Sequence, residues 1–235
     1  MRIKGVAMMM NSKLWLVGAA TAVALSSTAA VASVVVVRSL GPSSKAYPPG
    51  KTLTESAKIT LQGGDVVTVL GPNSAQTLRG PGNFNTNTVS LASAASKRGR
   101  FGALRAGEIA KNPSVWDIDA TQTGKVCVTD TSKLQLWRPD STAEASVNIR
   151  TSDGAVQPVT WVAGNSSVPW PAALKLISGS DYQIEWQETG EKSDVTIVQV
   201  PAMGDDLVGA AQLLIQNGCK NQLDVLVDSA SKMGK

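Results

Sequence analysis

The residues able to do chemistry are few, and their types narrow that chemistry sharply. The chain has no histidine. This removes Ser-His-Asp and Cys-His triads and every histidine-ligated metal site. Two cysteines, Cys127 and Cys219, make a poor zinc site without histidine. No G-x-S-x-G elbow, P-loop or dinucleotide-binding glycine fingerprint occurs. What remains for acid–base work is paired carboxylates, as in a glycosidase: Asp117 with Asp119, Asp205 with Asp206, and Glu185 with Glu188. Each pair has a plainer reading. Asp117 and Asp119 shape a turn after Trp116, Asp205 and Asp206 start a helix, and Glu185 and Glu188 face solvent. No catalytic residue, metal or cofactor is therefore expected.

Two groups of residues suit binding instead. Trp161 and Trp170 fall in loop-like stretches and could form a platform that stacks on sugar rings. The alternative is that these indoles fill a core, where they bury large apolar areas. Lys97, Arg98, Arg100 and Arg105 form the one basic cluster, fit to contact an acidic polymer or an acidic protein face. The alternative is a solvated linker, since Gly99, Gly102 and Gly107 discourage a long helix.

The first residues set the compartment in which such groups would act. Lys4 and Lys13 precede an apolar run from Leu14 to Leu25, and Ala30-Val31-Ala32 precedes Ser33. This is the layout of a secretory signal peptide, with cleavage expected near Ala32/Ser33 and a periplasmic or secreted product. The alternative is an uncleaved anchor, because no charge lies between Lys13 and Arg38. Membrane contact is expected only in that case. An oxidising compartment invites a disulfide between Cys127 and Cys219; the other reading is two buried thiols. The formal charge of +4 comes from 22 bases and 18 acids. Loss of Arg2, Lys4 and Lys13 leaves the mature chain nearly neutral, so no nucleic-acid partner is expected.

The elements that must position these residues are mostly strands. Between residues 34 and 90, short β-branched segments at Val34–Arg38, Lys51–Leu53, Lys58–Leu61, Val66–Leu70, Ala75–Leu78 and Phe84–Val89 alternate with turn formers such as Gly63-Gly64-Asp65 and Gly71-Pro72-Asn73. A basic linker is expected over 91–113. Strands return at Lys125–Asp130, Lys133–Trp137, Ala145–Ile149, Val156–Ala163, Ala173–Ile177, Tyr182–Gln187 and Asp194–Val200. Their number and spacing suit a small β-sandwich, with the first two of them as a hairpin. Beyond residue 203 the period changes to helical. Leu207, Ala210, Ala211 and Leu214 form one helix, ended by Gly218, and Leu223, Leu226, Val227 and Ala230 form a second.

Within the first unit, Pro49-Gly50-Lys51-Thr52-Leu53, Ala57-Lys58-Ile59-Thr60-Leu61, Gly64-Asp65 with the strand after it, and Leu78-Arg79-Gly80-Pro81-Gly82 together resemble the FecR-type domain of Gram-negative bacteria. The likeness spans residues 35–82 and contains no catalytic motif. It implies a β-rich periplasmic module, some examples of which relay signals while others are fused to diverse extracytoplasmic proteins. The absence of a cytoplasmic segment before the apolar run points away from direct signal relay. The expected fold is mainly β: a FecR-like unit, then a small β-sandwich with two C-terminal α-helices. The expected function is a non-enzymatic, extracytoplasmic protein-interaction module of the bacterial envelope, with an envelope or secreted protein as partner. A carbohydrate- or envelope-polymer-binding protein is the alternative, followed by a carboxylate-pair hydrolase.

Overall fold

Four consecutive valines, Val34 to Val37, are all buried, and a strand that is apolar at every position must be covered on both faces. The computed structural model, which describes residues 33–54, 56–87, 112–202 and 206–233, shows how. The first unit has six strands: β1 (Ser33–Leu40), β2 (Thr52–Thr54), β3 (Lys58–Leu61), β4 (Val66–Leu70), β5 (Ala75–Arg79) and β6 (Gly82–Asn85). Four of them form an antiparallel sheet in the order β2-β1-β4-β5, and β3 pairs with β6. Val34 and Val36 pack with Val67, Val69 and Leu78 onto Ile59 and Leu61 of the small sheet. Val35, Val37 and Leu70 face the other way. A register shift between Val36 and Arg38 interrupts the β1–β4 ladder. The Gly63-Gly64-Asp65 turn is tied down by the Asp65 carboxylate, which accepts from the backbone N–H groups of Ser43 at 2.9 Å and Gln62 at 2.6 Å.

The second unit has eight strands: β7 (Ile118–Asp119), β8 (Gly124–Val128), β9 (Gln135–Trp137), β10 (Ala145–Thr151), β11 (Val156–Trp161), β12 (Ser167–Pro169), β13 (Asp181–Trp186) and β14 (Lys192–Gln199). They build a five-stranded sheet, β11-β10-β13-β14-β8, and a three-stranded sheet, β12-β9-β7. Alternation decides the faces. Val147, Ile149, Tyr182, Ile184, Val195 and Ile197 point inward and meet Ile118, Leu136 and Trp170. Each such fully buried side chain contributes about 1.5–3 kcal/mol. Their neighbours point outward and hydrogen-bond across strands, Ser146 with Thr160 and Gln183 with Asp194. The expected sandwich is formed, with two corrections. Lys125–Asp130 and Lys133–Trp137 are not a hairpin: β8 pairs in parallel with β14, while β9 lies between β12 and β7 in the other sheet. Ala173–Ile177 is not a strand. Its backbone is held as a turn by side chains, Trp170 Nε1 donating to Leu174 O and Tyr182 Oη donating to Lys175 O.

Two helices follow among the described residues, α1 (Leu207–Asn217) and α2 (Lys220–Met233). Asp206 caps α1 by accepting from Val208 N–H. Gly218 turns the chain in the left-handed region at φ 75°, the conformation glycine supplies at a helix end. The N–H groups of Gly218 and Cys219 return to the carbonyls of Ile215 and Leu214. The apolar faces of both helices meet Val35, Val37 and Leu70 of the first unit and Cys127 and Val200 of the second in one shared core. Polar ties run the same way. Arg38 pairs with Asp224 and Gln212 donates to Thr52, while Asn221 donates to Thr123 O. The described residues accordingly fall in a single compact unit.

Cys127 on β8 and Cys219 at the joint of the helices form a disulfide, with Cα atoms 5.9 Å apart and a sequence separation of 92. This bears out the expected bridge. It closes a long loop, so its removal takes away a constraint on the unfolded chain. In Cys127→Ser/Cys219→Ser, urea unfolding is expected to show a loss of about 2–5 kcal/mol with an unchanged native near-ultraviolet circular dichroism spectrum.

Candidate functional site

Among the described residues, the sandwich and the helical hairpin line a cleft between them. It has a volume of about 300 Å³, at the small end for ligand sites. One wall is Asp117 and the strand β7 (Ile118–Asp119) that follows it. Ile118 is fully buried in the core, so its two flanking aspartates project to the opposite side. The floor is apolar, made by Val126 of β8 and by Trp137 and Pro139. The other wall is α2, where Asn221, Asp224, Val225 and Asp228 share one helical face at i, i+3, i+4 and i+7. Four carboxylates thus rim an apolar floor.

These carboxylates differ. Asp224 is exposed and paired with Arg38. Asp119 is half-buried, and its Oδ1 accepts from Thr121 N–H at 2.9 Å and Thr121 Oγ1 at 2.7 Å. Burial pushes the Asp119 carboxyl above the ordinary aspartate value, and the Thr121 hydrogen bonds pull against it. Asp117 is raised for the same reason, opposed by a hydrogen bond from Ser114. Neither has a cationic partner among the described residues. Among those residues no three acidic or cysteine side chains converge as metal ligands do.

The other expected site residues are placed as follows. Trp161 is fully buried and Trp170 is 8% exposed, which corrects the idea of a sugar-stacking platform at these two positions. Trp161 stacks on Trp186 at 5.6 Å, lies beneath the Arg138 guanidinium, and donates Nε1–H to Leu136 O. Trp170 sits edge-on to Tyr182 at 5.4 Å. Both are core residues. Glu185 pairs with Lys192 at 3.4 Å, while Glu188 accepts from Ser146 N–H, so those two carboxylates have separate structural duties. Asp206 is a helix cap. Asp205, the basic cluster Lys97, Arg98, Arg100 and Arg105, and the segment before Ser33 lie outside the described residues.

Sequence spacing singled out Asp117 and Asp119 and missed Asp224, Asp228 and Trp137, which reach the cleft from distant parts of the chain. The one available signal was the polar i, i+3, i+7 face of α2. The disulfide is compatible with an extracytoplasmic location, and among the described residues no helix is long and apolar enough to cross a membrane. The class defined by fold and site is thus a disulfide-bridged, mainly β protein with an acidic cleft. Comparison of the chain with family models, curated proteins and solved structures finds no match.

Two outcomes are expected. Trp161→Ala should lower the unfolding free energy by about 3–5 kcal/mol, the cost of emptying a buried aromatic site, as read by urea titration. For Asp119, the folded protein holds the proton more strongly than the unfolded chain. This group therefore favours folding below its ordinary value of 3.8 and loses that contribution as pH rises through the raised folded value. Asp119→Asn, which keeps the Oδ1 acceptor, should raise Tm at neutral pH, with the gain shrinking in acid, as read by calorimetry across pH.

Proposed function

We propose that this protein is a non-enzymatic, extracytoplasmic interaction module of the bacterial envelope that receives a lysine or arginine side chain of a partner protein in the acidic cleft. The supporting observation is the pair Asp117 and Asp119, partly buried beside an apolar floor and without a cationic partner among the described residues. Lysine and arginine have the complementary shape, an apolar stem ending in a charge. A cation entering the cleft offsets the desolvation that raises both carboxyls. Binding is therefore coupled to their ionisation, and affinity falls as pH drops through their raised range.

The reading of the N-terminal segment as a cleaved signal peptide belongs to the same proposal. So does the FecR-like character of residues 35–82, which rests on the quoted strands and turns. A periplasmic or secreted location explains why a cysteine pair is bridged.

A zero-length carbodiimide cross-linker, which joins a carboxylate to a lysine amine in contact, tests the cleft for a lysine occupant. Applied to envelope extract, it is expected to yield a defined cross-linked partner with wild-type protein and at least about a tenfold weaker product with Asp117→Asn/Asp119→Asn, the loss typical of a charge-assisted contact. A product of equal intensity from both proteins would remove the cleft from the interaction.

A further inference from the structure

An open strand edge is a template for another strand, and β proteins guard such edges. Among the described residues the sandwich does so at three of its four edges by proline or by shortness. Edge strand β11 carries Pro158 in its middle, paired with Asn148, and proline has no N–H to offer. Strand β12 has three residues and ends on Pro169, and β7 has two residues. Strand β8 has none of these features: it is five residues long and free of proline.

On β8 the outward N–H and C=O of Cys127, beneath the packed helices, are both taken by one side chain. Gln222 Oε1 accepts from the Cys127 N–H at 2.6 Å, and Gln222 Nε2 donates to Cys127 O at 2.8 Å and to Val115 O at 2.8 Å. Gln222 is 5% exposed, an uncommon place for glutamine. Its carboxamide offers a donor and an acceptor side by side, which is the pattern a neighbouring strand presents. One residue earlier, Asn221 Nδ2 donates to Thr123 O at 3.1 Å, at the entrance of the same strand.

We propose that α2 serves as an edge partner of β8 within the chain: Gln222 stands in for a sixth strand and blocks β8 from pairing with the β8 edge of a second copy. The second copy is the natural occupant because one edge meeting itself about a two-fold axis satisfies both chains at once. The Cys127–Cys219 bridge starts from the very residue whose backbone is guarded, so it holds the guard in place. This device is independent of what the cleft binds.

The test compares Cys127→Ser/Cys219→Ser with the same chain also carrying Gln222→Ala, in dilute and concentrated samples. Amide hydrogen exchange at residue 127 and sedimentation velocity are read together. With Gln222 absent, the residue 127 amide should exchange about tenfold faster when dilute, as expected for loss of a hydrogen bond. It should regain protection on concentration, together with the appearance of a dimer. An unchanged exchange rate, or lost protection with no association at high concentration, overturns the proposal. If that variant does not fold, Gln222→Met in the bridged chain keeps the side-chain bulk and drops both hydrogen bonds. Faster exchange at residue 127 then supports the guard. An unchanged rate overturns it, as does failure of this variant to fold, since Gln222 would then be needed for folding itself.

Discussion

The covalent link between β8 and the helix joint is the constraint from which the rest of the architecture follows. Cys219 sits where the left-handed Gly218 reverses the chain, so bridging it to Cys127 fixes both helices at once. The hairpin then meets two surfaces that need cover. One is the second face of the four-stranded sheet, with Val35, Val37 and Leu70, and the other is the end of the sandwich, with Cys127 and Val200. Neither β unit is closed without it. A small sheet with four consecutive valines in a central strand could not leave one side of that run exposed in water. The chain therefore solves two incomplete cores with one shared helical wedge.

The same placement generates the cleft. Because α2 lies against the sandwich, its polar face stands opposite Asp117 and Asp119, and its Gln222 reaches the backbone of β8. Residues about a hundred positions apart in sequence thus share one site, and the stability of the fold and the geometry of the cleft depend on the same packing. Burial raises both aspartates, and the hydrogen bonds from Thr121 and Ser114 offset part of that cost.

What could be read from the sequence was local. Strands bounded by glycine and proline turns, such as Lys58–Leu61 and Val66–Leu70, emerge at the expected residues, because φ-setting turn residues act on their immediate neighbours. The helical period of α1 and α2, the Asp206 cap and the Gly218 stop are local in the same sense. Pairing is not local. Nothing near Lys125 or Lys133 announces that β8 joins β14 in parallel while β9 enters the other sheet. Side chains also override propensity: Trp170 and Tyr182 hold 173–177 out of the strand form by taking its carbonyls. Trp161 lies in the expected strand Val156–Ala163, and of its two readings the core holds: it closes the end of β11 opposite Ala145 and is fully buried. The acidic cleft was half legible, through Asp117 and Asp119, and its other wall depended on the packing of α2.

The central claim is that the hairpin makes the two β units unfold as one. Hydrogen exchange followed across a denaturant series tests this most directly, by comparing Val34–Val37 of β1 with Tyr182 and Ile184 of β13. The account predicts that both sets lose protection at the same denaturant concentration in the bridged protein. Loss of protection in β1 while β13 stays closed, or the reverse, would show two independent units and contradict it.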